Sequence, residues 1–287
     1  MTYFDIMYYY FCFIVFLFGA SWGSFLNVCI YRIPEELSVV KPRSFCPKCK
    51  TPIPGYCNIP LVSYLWLGGK CKYCKTSISP RYFGVELLTA LLFLMVWLKL
   101  PILGHGPFFG MSPAFSIAQV FCYWIVVFGL VMGSFIDIDH YILPDRVTLG
   151  GIVLGLICSA IFPELHRTTS HLTSFLTSLG AAAIGFGSLW LVAIVGRMIF
   201  KKEAMGFGDV KLMGAIGAFF GFSSILFVLI CASFIGSIFG IGCIILKKKE
   251  LQSRIPFGPF LATAVLIFMF WGPAMVDAYI NLLTIGN

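Results

Sequence analysis

Acids are scarce in this chain, twelve Asp and Glu in 287 residues, and two stand where carboxylate chemistry is possible. Asp209 lies in "EAMGFGDVKL" at 203–212, between glycines and long apolar runs, and Asp137 lies in "GSFIDIDHYILPD" at 133–145. Carboxylates at the edge of a low-dielectric region are costly to ionise, and two that share a site resist ionising together. Such a pair can cut a peptide bond: one takes a proton from water while the other donates to the carbonyl oxygen or the leaving amine. Gly206 and Gly208 would let backbone approach Asp209 closely and allow a positive φ. Blander roles compete. A carboxylate at a helix start can simply face the helix dipole, Asp139 can be a solvated loop acid, and the "DID" string can be read as a metal-binding acidic pair. Asp145, after Pro144 and before a new apolar run, is expected to cap the next helix. Glu86, in "VELLTA", is a further candidate because charge inside an apolar run is expensive.

A second cluster is built from cysteines. "CPKC" at 46–49 and "CKYC" at 71–74 form C-x2-C-x21-C-x2-C. Two such knuckles can bring Cys46, Cys49, Cys71 and Cys74 to the corners of a tetrahedron, as in a structural Zn²⁺ site. The neighbouring Lys48, Lys50, Lys70, Lys72 and Lys75 are expected to favour thiolate over thiol. Two disulfides are the alternative, disfavoured if the segment faces a reducing compartment. A site with four Cys ligands is closed to substrate, so the expected role is scaffolding. Cys57 is left over in the segment, and Cys12, Cys29, Cys122, Cys158, Cys231 and Cys243 read as small packing residues in apolar runs.

The elements that must position these groups are helices in a membrane. The mean hydropathy is +0.95 and only 11% of residues are charged, against about 25% in soluble domains. The fold class is therefore an all-α polytopic membrane protein. Eight spans are predicted, at 8–31, 84–100, 116–136, 147–162, 176–199, 210–222, 224–246 and 257–280, and the division between the sixth and seventh rests on "FFGFSS" at 219–224. The first run follows Asp5 rather than a basic stretch and reads as a retained helix, not a cleaved signal.

With the N-terminus outside, every Lys and Arg except Lys99 and Arg167 falls on the inner side, including Lys247, Lys248, Lys249 and Arg254. Topology thus accounts for the net charge of +8, and no nucleic-acid partner is expected. The same topology places Asp137, at the end of an inbound span, level with Asp209, at the start of an outbound one. No internal repeat is evident. The expected organisation is a first span at 1–31, a cytoplasmic tetracysteine loop domain at 32–83, too small to fold without a staple, and a membrane domain at 84–287 that carries both acids.

These residues resemble the bacterial type IV prepilin peptidases, members of the GxGD membrane aspartyl proteases. "GSFLNVCIYRIP" at 23–34, the paired Cys-x-x-Cys segment with "NIPLVSYLWLGGKC" inside it, and "ISPRYFGVELLTA" at 78–90 resemble the family's N-terminal region. "IDIDHYILPD" at 136–145 and "GFGDVKL" at 206–212 resemble its two protease motifs. The resemblance implies catalytic Asp137 and Asp209. Asp137 is preferred to Asp139 because the family's aspartate lies seven residues before the proline, here Pro144. It implies cleavage of prepilin and type II secretion pseudopilin leaders after a glycine, at the cytoplasmic face of the inner membrane. For members with the long cysteine segment it also implies N-methylation of the new terminus with S-adenosylmethionine, in a region that includes Gly69 and Lys70; the cofactor's ligands are unassigned. The chain departs from the pattern in "RYFG" at 81–84, where proline usually follows tyrosine, and in a longer outer loop near 163–175. Two rivals remain: an ion-coupled secondary transporter using membrane-edge aspartates, against which the missing repeat argues, and a zinc-bearing membrane assembly factor without enzymatic activity.

Overall fold

Every predicted span folds as a helix in the computed structural model, which describes residues 3–101, 115–201, 205–246 and 255–285. The helices are α1 Tyr3–Arg32, the short α2 Val62–Trp66, α3 Pro80–Trp97, α4 Ile117–His140, α5 Asp145–Ile161, α6 His171–Phe200, α7 Phe207–Phe220, α8 Phe222–Ile245 and α9 Gly258–Ile285. Five of them, α1, α3, α4, α6 and α8, are long and apolar enough to cross a bilayer. No strand occurs among the described residues. The basic residues Lys202, Lys247, Lys248, Lys249 and Arg254, counted in the charge pattern, lie outside the described residues.

Local chemistry sets the helix limits. Ser116 and Gln119 form a reciprocal capping box at the start of α4, and Ser79, followed by Pro80, caps α3. α3 therefore begins four residues before the predicted span. The sixth and seventh spans are indeed separate: Gly221, at φ 74°, breaks the chain between α7 and α8 in a conformation that favours glycine.

The chain divides into two compact units, Met1–Phe108 with Tyr123–Met132, and Phe109–Cys122 with Gly133–Asn287. In the first, α1 and α3 run antiparallel at glycine-enforced close range. A Cβ on Gly19 would lie 2.8 Å from the Ala90 Cα, and one on Gly23 would lie 2.6 Å from the Glu86 Cα. One turn further along, Asn27 Nδ2 donates to the Tyr82 carbonyl at 3.0 Å. Small residues four apart are how apolar helices bring backbones together without a hydrophobic drive. Gly23→Ala is expected to force the pair apart at a cost of about 1–3 kcal/mol, seen as a lower unfolding midpoint in detergent; an unchanged midpoint would refute the contact.

In the second unit, α7 is clasped between α5 and α6. A Cβ on Gly185 would lie 2.6 Å from the Met213 carbonyl oxygen, Gly217 faces the Ala181 backbone, and a Cβ on Gly155 would lie 2.7 Å from that of Ala218. The far end of α7 is held by Ser178 Oγ and His166 Nε2, which meet the Ala218 carbonyl at 2.7 and 3.2 Å. α7 has 14 residues against 30 in α6, so at 1.5 Å per residue it is about 21 Å long against about 45 Å. The antiparallel register puts Asp209 level with Leu189, well short of the α6 end at Phe200.

Candidate active site and metal centre

Asp137 sits in the last turn of α4 and Asp209 in the first turn of α7. Both are buried, at 6% and 7% exposure, and Asp137 is close enough for its charge to act on Asp209. Asp139, two residues on and therefore on another face of the helix, is exposed. Burial thus separates the two acids of the "DID" string, and only Asp137 is buried with Asp209. The α4 helix stops just beyond, where Tyr141 takes the left-handed conformation at φ 56° and its N–H returns to the Asp137 carbonyl at 2.9 Å.

The third member of the site has no counterpart among the sequence candidates. Gly258 opens α9, and its N–H donates to Asp137 Oδ2 at 2.9 Å. The N–H groups at a helix start have no partner within the helix and carry partial positive charge, so this terminus suits a carboxylate. A Cβ on Gly258 would stand 2.7 Å from the same oxygen. The sequence signal is "FGP" at 257–259, a small residue before proline at the head of an apolar run. An open cleft of about 320 Å³, lined by Ser233, Gly236, Ser237, Ile255, Phe257 and Phe260, borders this end of α9.

The glycines around Asp209 act through space rather than through unusual backbone. Gly206, the N-cap of α7, has φ −69°, and Gly208 is not among the positive-φ residues. A Cβ on Gly208 would meet the Leu143 Cβ at 2.8 Å, so Gly208 lets the segment after α4 close over the start of α7. Asp145 also departs from expectation. Pro144 occupies the cap position and the Asp145 side chain caps nothing; it accepts from Lys211 Nζ at 2.5 Å instead. That pair joins the first turn of α5 to the turn of α7 that contains Asp209. Being largely exposed on the Asp145 side, it contributes about 1 kcal/mol or less, so its use is orientation.

Cys46, Cys49, Cys71 and Cys74 converge, with all four sulfurs within 4.8 Å of one another. Cys46 Sγ and Cys74 Sγ are 3.8 Å apart, the edge of a tetrahedron about 3.8 Å wide that metal–sulfur bonds of about 2.3 Å would make. The donor set and its size therefore fit a tetrahedral, thiophilic ion. The two knuckles are copies of one another. Cys46 and Cys71 N–H bond to the Thr51 and Thr76 carbonyls at 3.0 and 2.8 Å, and Lys50 and Lys75 take φ 57° and 56°. Both knuckles read C-x-x-C-K-T, a local repeat of six residues where the sequence shows no repeat of whole elements.

Thiolate character at Cys49 and Cys71 comes from hydrogen bonds and not from the lysines, whereas Cys74 is pushed up, against the Thr76 amide, by burial and its cysteine neighbours. Hydrogen bonds from the Thr51 hydroxyl and amide hold Cys49 down at about 6. Backbone N–H groups of Cys74 and Tyr73 lower Cys71. Lys72 is engaged elsewhere, donating to Tyr56 Oη at 2.6 Å. Cys46→Ser is expected to lower metal affinity by at least the roughly 10–100-fold lost with an outer-shell partner, measured as metal stoichiometry after dialysis; full retention would count against the site.

Sequence comparisons agree in their extent. The description "Bacterial Peptidase A24 N-terminal domain" matches residues 17–100, and "Type IV leader peptidase family" matches residues 124–241. Among curated proteins, the chain is 36% identical over 301 residues to a prepilin leader peptidase/N-methyltransferase of Aeromonas salmonicida, covering 93% of each chain. It is 34% identical to the protein of that name in Pseudomonas aeruginosa, covering 92% of each, and 36% identical to the one in Neisseria gonorrhoeae, covering 86% and 85%. No solved structure matched.

Proposed function

We propose, from the premise that this chain belongs to the type IV leader peptidase family, that it is a membrane aspartic endopeptidase removing prepilin and pseudopilin leaders. The observation that carries this reading is the buried pair Asp137 and Asp209: Asp209 in the first turn of α7, and Asp137, in the last turn of α4, against the first N–H of α9. In the reaction, one carboxylate takes a proton from water as the water oxygen bonds to the scissile carbonyl carbon. The other, carrying a proton, donates to the carbonyl oxygen. Collapse of the tetrahedral adduct breaks the C–N bond, and the departing nitrogen receives a proton as it becomes the new amine terminus. Gly258 N–H keeps Asp137 oriented throughout, and the open cleft beside Phe257 offers an approach for an extended segment. The domains divide as 1–31, 32–83 and 84–287, with proteolysis in the last.

The chain is multi-pass, as its five membrane-length apolar helices require. We place it in the inner membrane with the tetracysteine segment and the acid pair facing the cytoplasm, because Lys and Arg concentrate on those loops. Zn²⁺ is the proposed occupant of the cysteine site, in a structural role. N-methylation of the new terminus is the second proposed activity, supported by the relatives' names. S-adenosylmethionine would supply an electrophilic methyl group. Gly69 and Lys70 suit direct contact with that cation poorly: the space above Gly69 is filled by the Tyr64 hydroxyl, 2.9 Å from where a Cβ would stand, and Lys70 is exposed and itself cationic. No observation favours ion-coupled transport. Incubation of purified protein with a prepilin tests the reading: a shortened product is expected, and a stable full-length prepilin would overturn it.

A further inference from the structure

The cysteine-rich segment reaches deeper than a loop hung from the ends of α1 and α3 needs to. Leu61 is buried in one cluster with Ala20 and Ala90, against which Phe16, Phe83 and Leu87 pack. Ala20 lies twelve residues before Arg32, the end of α1, and Ala90 ten residues after Pro80, the start of α3. At 1.5 Å per residue those positions are about 18 and 15 Å from the helix ends. At such a depth beside membrane-spanning helices water is scarce, and a backbone N–H must find a protein partner. Leu61 has one. Held at φ 62° and ψ −52°, it donates its N–H to Glu86 Oε2 at 2.8 Å. That contact accounts for a carboxylate within α3: Glu86 receives an amide that this descent would otherwise strand.

The short helix after Leu61 is equally unusual for a water-facing module. α2 presents Val62, Leu65 and Trp66 at 50%, 67% and 78% exposure, and Ile59 just before it is 45% exposed. The charge of the same module is one-sided: Lys48 and Lys50 on one knuckle, and Lys70, Lys72 and Lys75 on the other, all carry the same sign, and all five are exposed. Apolar side chains that no protein covers, beside a cluster of lysines, match an anionic bilayer surface in both chemistry and charge. Tryptophan prefers that boundary, with its ring in the acyl region and its N–H among headgroups.

We propose that residues 59–66 form a re-entrant wedge, pinned by Glu86, that inserts into the headgroup and upper acyl region of an anionic lipid bilayer. The knuckle lysines rest on the lipid phosphates, and the cysteine site is thereby fixed at the membrane surface. Neither peptidase nor methyltransferase activity is needed for this arrangement.

The test uses the full chain in nanodiscs of phosphatidylcholine, with or without phosphatidylglycerol, some carrying acyl-brominated lipid. Emission from Trp66 is isolated by difference against Trp66→Phe, and metal content serves as the check that this variant folds. The expected Trp66 emission is blue-shifted and quenched severalfold by brominated lipid, more strongly with phosphatidylglycerol. Glu86→Ala is expected to weaken that quenching while Glu86→Gln, which keeps an oxygen acceptor, preserves it. Water-like emission insensitive to brominated lipid would overturn the wedge. So would emission that responds to added prepilin and not to lipid, which would assign this face to substrate. Equal quenching with and without phosphatidylglycerol would overturn the role given to the lysines.

Discussion

Asp209→Asn and Asp137→Asn are each expected to slow leader removal by about 10³-fold or more while the protein remains folded in the membrane. General acid–base groups are individually worth about 10²–10⁴-fold. Two carboxylates acting as one device are non-additive, so the double variant should be no slower than either single one. Asparagine preserves size and an oxygen acceptor, so Gly258 N–H can still bond at position 137. What it removes is the ability to take or give a proton. Asp139→Asn is the internal control: exposed and on another helix face, it should leave the rate within a few-fold of wild type. Initial rates on a purified prepilin decide the matter, and an Asp139 variant as impaired as the Asp137 one would reassign the pair.

Gly258→Ala is expected to be nearly as informative. Gly258 is not among the positive-φ residues, so its backbone accepts alanine. The strain falls instead on Asp137, whose Oδ2 would lie 2.7 Å from the new methyl group. Side chain or helix start must shift, and a misplacement of about 1 Å in a reacting group can cost about 10²-fold. The expected result is a kcat lowered by about 10–100-fold with KM little changed, because the displaced group acts in the chemical step. A wild-type kcat in a folded Gly258→Ala protein would show that the hydrogen bond to Asp137 has no part in catalysis.

The helices are readable from sequence because apolar length is a strong, local signal. The two acids are readable because charge is rare between such runs. Even the break at Gly221, the weakest of the span divisions, is marked by a glycine between phenylalanines. Sequence misleads where partners are brought together by packing. Gly258 is remote in sequence from Asp137, and nothing in "FGP" says which carboxylate its N–H will meet. Asp145 looks like a cap because sequence shows its neighbours along the chain, while Lys211 reaches it across the α5–α7 contact. Gly206 and Gly208 suggest both close approach and conformational freedom, and the first holds, with Gly208 against Leu143, while neither takes a positive φ. The cysteine spacing announces four ligands, whereas the source of thiolate character, Thr51 and the knuckle amides, depends on turns that charge counting does not reveal.

The most direct measurement is the intact mass of a prepilin before and after incubation with the purified protein. The expected product lacks its leader, and gains a further methyl mass when S-adenosylmethionine is supplied. A prepilin of unchanged mass, in the presence of folded protein with metal bound, would contradict the assignment of Asp137 and Asp209 to peptide cleavage.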